Sequence, residues 1–185
     1  MAIRKVARLG HPILRTPTRP LTRQEILSEP VQRLVDDMIE TMHEYSGVGL
    51  AAPQVHEPLR LAVIEVEGLN PRYHISEEQP LLVIFNAKVT VLDAAPHGFW
   101  EGCLSVPGLR GYVERPRKIK VDFLDRAAEP RSLVIEDFLA TVFQHELDHL
   151  DGTLYVDKIA SPDRFAFVEE YQRYHIEEGA PPVAD

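Results

Sequence analysis

His145, Glu146 and His149 lie in the run Gln144-His-Glu-Leu-Asp-His-Leu-Asp-Gly152, which has the form H-E-x-x-H. On a helix, residues four apart share a face one turn apart. The two imidazoles can therefore reach one metal ion, and the glutamate can take a proton from water held by that ion. The plain alternative is two ordinary histidines on a polar helix face, since the chain has 8 His. The spacing predicts the helix itself. Phe138, Leu139, Val142, Phe143 and Leu150 fall on the side of the two histidines. Asp137 is the expected N-cap and Gly152 the expected left-handed terminator. An apolar wall here would keep water out and strengthen the field of an ion.

Three sources of a third ligand compete. One zinc-protease pattern continues to a histidine six residues after the second, but Tyr155 occupies that position. Another takes a glutamate from a later helix, where Glu169 stands beside Glu170; paired glutamates are also ordinary on a solvated face. The third source is Cys103, in Glu101-Gly-Cys-Leu-Ser-Val-Pro-Gly108. A lone cysteine is usually a small core hydrophobe. Gly102, however, admits backbone at close range, and Glu101 in a tight apolar turn needs a cationic partner, best an arginine.

The elements that must position these groups follow from pattern. Thr22-Arg-Gln-Glu25 reads as a capping box, after an extended segment running to Pro20. A helix is expected from near Ser28 to Ser46-Gly47, with Pro30 in its first turn. Its buried stripe is Val31, Leu34, Val35, Met38, Ile39 and Met42, so both methionines are core residues. Strands are expected at 59–66, at 81–85 and 88–92 around an Asn86 turn, at 117–124 and at 131–136. Residues 67–80 read as a surface loop without a phosphate-cradling glycine pattern, 153–159 as a strand, 162–176 as a helix and 177–185 as a frayed tail. Strands first and the H-E-x-x-H helix late predict an α+β fold: mainly antiparallel sheets packed around a central metal-binding helix.

At 185 residues, without repeat or linker, the chain reads as a single catalytic domain. No run approaches a membrane span. Met1 to Gly10 has neither a long apolar run nor a cleavage site, and with Cys103 alone no internal disulfide can form. Both point to a cytoplasmic protein. The net charge of −9 argues against nonspecific binding to nucleic acid or anionic membranes.

Three segments together resemble the peptide deformylases: Gly47-Val-Gly-Leu-Ala-Ala-Pro-Gln54, Glu101-Gly-Cys-Leu-Ser105 and Gln144-His-Glu-Leu-Asp-His149. The resemblance runs from about Val6 to Ile159. It is nearest to the bacterial and plant-organelle branch, because the middle motif is followed by V-P-G-L-R-G. It implies removal of the N-formyl group from the initiator methionine of nascent polypeptides, with formate as the other product. The metal ligands it implies are Cys103, His145 and His149, holding Fe²⁺ that Ni²⁺, Co²⁺ or Zn²⁺ can replace. Glu146 would be the general base, and Gln54 and the Leu104 N–H the oxyanion donors. Val48, Gly49, Phe138 and Val142 would line the substrate site, with Arg110 pairing Glu101 as support. Two rivals remain: an endopeptidase using Glu169 as third ligand, and a non-catalytic module stabilised by metal. Some relatives dock on the ribosome through a basic C-terminal helix. Here Glu169, Glu170, Glu177, Glu178 and Asp185 face only Arg164 and Arg173, so ribosome contact through this end is not expected. His56 stands near where many relatives have glycine and reads as a surface residue.

Overall fold

The structure, a computed structural model, describes residues 2–66 and 78–176. The expected loop at 67–80 lies mostly outside these residues, and the expected tail at 177–185 wholly so. After a 3-10 turn at Pro12–Arg15, the capping box forms as expected, opening α1 (Arg23–Ile26). Helix α2 (Glu29–Glu44) follows, with Leu34, Val35, Met38 and Met42 buried. Strand β1 (Gly49–Ala51) leads through a 3-10 turn at Ala52–Val55 to β2 (Leu61–Val66). Then come β3 (Gln79–Cys103), β4 (Val106–Leu124), β5 (Pro130–Glu136) and α3 (Asp137–Leu150). The chain continues through β6 (Phe165–Phe167) to α4 (Val168–Tyr174).

All neighbouring strands are antiparallel, in the order β1-β2-β3-β4-β5, with β6 joined to the near end of β4. The fold is α+β, as expected. Strand β2 explains the layering. Alternate residues of a strand face opposite sides, and both sides of β2 are apolar. Ala62, Ile64 and Val66 join Phe138, Val142, Phe143 and Leu147 of α3 in one core. Leu61 and Val63 join Leu34, Val35, Met38 and Met42 of α2 in another. The sheet is thus covered by a helix on each face, with α3 reaching β1 to β5.

The structure corrects several local expectations. Asn86 is not a turn between two strands. It takes φ +54 within β3, and its side-chain amide donates to Leu21 C=O (2.7 Å) and accepts from Leu21 N–H (2.9 Å), so the strand bends and continues. Asp137 does not cap α3; Glu136 is the N-cap, and Asp137 pairs with Arg117 at 2.7 Å. Residues 155–158 form a 3-10 turn rather than a strand. The expected final helix is interrupted by β6, because Phe165–Phe167 pair with the open edge of β4 at Leu109–Gly111. Gly152 does take the left-handed conformation, φ +72, directly after α3. No helix among the described residues is long and apolar enough to cross a membrane.

Candidate active site

Cys103 ends β3 and pairs across to Val106 of β4, so Leu104 and Ser105 form a two-residue hairpin turn. That turn is aimed at α3. The Cys103 Sγ lies 3.3 Å from His149 Nε2. The ligand atoms of Cys103, His145 and His149 lie within 4.8 Å of one another, and all three residues are buried. His145 and His149 follow from helical spacing; the sulfur comes from a strand end 42 residues earlier, delivered by the hairpin.

A chain of charge fixes the His145 ring. Its Nδ1 is 2.7 Å from Glu101 Oε2, which leaves Nε2 for an ion. Glu101 is clamped in turn by Arg115, with Nε at 2.5 Å and Nη2 at 2.9 Å, and Arg115 also donates to Asp148 at 2.7 Å. Burial opposes charge on Glu101, but the bonds from Arg115 and His145 prevail and hold its carboxyl down to about 2. Arg110 was expected in this role, and the expectation fails for a geometric reason. Glu101 lies opposite Gly111, so Gly111, Val113 and Arg115 share its side of the ladder whereas Arg110 falls on the other. Arg110 is buried there against Gly102, where a Cβ would come 2.0 Å from its guanidinium. Strand parity was the signal that would have found Arg115.

Glu146 is buried beside the cluster, and its Oε2 has no hydrogen-bond partner among the described residues. Burial pushes its carboxyl up to about 7. Gly49 makes room for it: a Cβ there would fall 2.5 Å from Glu146 Cγ. Gln54 turns its Oε1 to the Ala51 N–H (2.8 Å), and its Nε2 donates to Ser105 Oγ (3.2 Å) and faces Cys103 Sγ (3.5 Å). One cleft is lined by Val48, Gly49, Gln54, Leu104, Phe138, Val142, Glu101, Cys103, His145 and Glu146. Phe99, Trp100 and Thr141 line it too, unforeseen in the sequence. Tyr155 stacks on the His145 ring at 5.9 Å, in the position one protease pattern reserves for a histidine. Glu169 is exposed on α4, and His56 is exposed at φ +69.

These donors fit a divalent transition metal. A thiol and two imidazoles suit such an ion. The buried Glu146 Oε2 has no protein partner among the described residues, so polar capacity remains beside the cluster.

The polypeptide deformylase family model matches residues 3–165. A peptide deformylase of Leptospira biflexa is 45% identical over 170 residues, covering 92% of this chain and 95% of that protein. The chloroplastic peptide deformylase 1A of Solanum lycopersicum is 39% identical, over 91% of this chain and 63% of its own. The chain belongs to the peptide deformylase family. Among solved deformylases, the Met-Ala-Ser-bound class I type b enzyme of Acinetobacter baumannii superposes with TM-score 0.81 at 37% identity, covering 85% of this chain and 99% of that one. The actinonin complex from Synechococcus elongatus gives 0.76 at 31%, covering 97% and 90%. Peptide deformylases are hydrolases that use a divalent metal and remove the N-formyl group from nascent polypeptides. Membership removes both rivals, the Glu169 endopeptidase and the non-catalytic module.

Proposed function

We propose that Cys103, His145 and His149 hold one divalent metal, Fe²⁺ in the cell, and that the chain acts through it as a single cytoplasmic catalytic domain. The observation that carries this is the convergence of one buried sulfur and two buried imidazoles within 4.8 Å. Ni²⁺, Co²⁺ or Zn²⁺ would occupy the same donors. When bound, the metal supplies a Lewis acid that makes water a nucleophile at neutral pH.

The chain's own residues do the rest. Glu146 takes the proton from the attacking water, and its burial raises its basicity. Oxygen adds to the formyl carbon, the carbon–nitrogen bond breaks, and Glu146 returns the proton to the methionine nitrogen. Formate and a free amino terminus result. Gln54 Nε2 and the Leu104 N–H donate to the developing oxyanion. Gly49 on β1 and Val48 just before it accept the peptide as an added strand, and Phe138 and Val142 flank the methionine side chain. The Met-Ala-Ser in the Acinetobacter relative has the sequence expected of a deformylated product. Any ribosome contact is transient and avoids the acidic C-terminus.

The test is formate release from formyl-Met-Ala-Ser by anaerobically prepared Fe²⁺ protein and by Glu146→Ala. The wild type turns over, and the variant keeps its metal while kcat falls about 10²- to 10⁴-fold, the span of general-base catalysis. A variant with undiminished kcat would remove Glu146 from the reaction.

A further inference from the structure

The first 24 residues hold Arg4, Lys5, Arg8, Arg15, Arg19 and Arg23 and no carboxylate, in a chain whose net charge is −9. Four of these arginines are matched: Arg4 with Asp37, Arg15 with Asp157, Arg19 with Glu25 and Arg23 with Glu129. Lys5 and Arg8 are exposed, and neither has an acidic partner among the described residues. With His11, Tyr45, His56 and Leu104 they line one surface groove, and no carboxylate lines it.

The groove is built onto the active site. The Ala7 N–H donates to the Gln54 C=O at 2.7 Å, and the Leu9 N–H to the Ser105 C=O at 2.7 Å. The basic segment is thereby pinned to the loop that carries Gln54 and to the turn that follows Cys103. Leu104 lines both the catalytic cleft and the groove. It also packs over Gly47, where a Cβ would meet its Cδ1 at 3.2 Å. A peptide leaving the cleft over Leu104 passes from apolar walls to unmatched positive charge.

We propose that this groove binds acidic side chains of the peptide substrate a few residues downstream of the formyl-methionine. The proposal rests on the deformylase reading of the cleft. Nascent polypeptide is the long ligand of that cleft, and an extended chain advances about 3.3–3.6 Å per residue, so its later residues leave the cleft while its first is held. Carboxylates there would meet Lys5 and Arg8, while the remaining surface, carrying the net negative charge, repels them.

The experiment compares kcat/KM for formyl-Met-Ala-Ser with that for the same peptide extended by Asp-Glu-Asp or by Asn-Gln-Asn. The metal-loaded enzyme is used at low and high salt. The acidic extension is preferred about three- to tenfold at low salt, through KM, as expected for two exposed ion pairs. High salt abolishes the preference. Lys5→Glu with Arg8→Glu reverses it, Lys5→Gln with Arg8→Gln abolishes it, and neither pair changes turnover of the unextended peptide. Equal use of the two extensions by the wild type, or a preference that survives in both double variants, overturns the proposal. So does inhibition of the wild type alone by an RNA oligonucleotide with no response to the acidic extension. Failure to deformylate even formyl-Met-Ala-Ser would instead sink the reading of the active site, and the groove with it.

Discussion

Gly49 and Glu146 meet in one contact, and the physical reason for the glycine lies there. The family resemblance places Gly49 among the residues that line the substrate site. The structure adds that Gly49 leaves the space the Glu146 side chain occupies, since a Cβ would approach it to 2.5 Å. Gly49→Ala therefore displaces the carboxylate while β1 stays paired to β2. Overpacking of this kind costs about 1–3 kcal/mol. The expected outcome is a drop in kcat far larger than the fall in melting temperature, measured by formate release and thermal unfolding. Single residues were the most legible scale. His145, Glu146, His149 and Cys103 were all marked by motif, because their spacing is local or their type rare. Arg115 was not, since the chain has several arginines and only strand register distinguishes them.

At the scale of elements, the β3–β4 hairpin and α3 form one device held by Asp148, Arg115, Glu101 and His145. Breaking a buried pair from one side leaves a charge stranded, at a cost of about 3–5 kcal/mol. Arg115→Met should destabilise the protein by that amount in denaturant unfolding and release metal faster, because the Glu101 bond that orients His145 loosens. The length of β3 was hidden from the sequence. Asn86 and the run through Ala94 and Pro96 look like breaks, yet the ladder continues through register shifts at Phe85/Lys88, Val91/Asp93 and Asp93/Pro96, with Asn86 held by side-chain bonds to Leu21. The strand at 165–167 was equally hidden, because only the open edge of β4 makes Phe165–Phe167 extended. Helix α2 was readable nearly residue for residue, since its stripe and its proline are local signals.

Ion pairs join separate segments of the molecule at Arg15–Asp157 and Arg117–Asp137, and close a local turn at Asp125–Arg131. Asp157 is held below the usual carboxylate range by Arg15, Asp137 by Arg117, and Asp125 by the Glu129 N–H and Arg131. A carboxyl with a lowered folded pKa contributes stability above its unfolded value near 4, and loses it as pH falls toward the folded value. Metal-free protein should therefore hold its melting temperature down to about pH 4 and lose a modest part of it progressively below, and added salt should lower the plateau slightly. A melting temperature flat from pH 5 to 2 would show that these pairs contribute nothing. The α+β class was legible because strands precede the helix. The double-sided burial of the sheet was legible only as the unbroken apolar run Leu61–Ile64, which carries no label for the two helices that cover it.

The central claim is that one sulfur from the hairpin and two imidazoles from α3 hold the same ion. X-ray absorption at the metal edge of protein loaded with one equivalent of Fe²⁺ tests it most directly. The account predicts one sulfur and two imidazole nitrogens among the ligands, with the sulfur absent from Cys103→Ser. An ion bound only by nitrogen and oxygen in the wild type would contradict it.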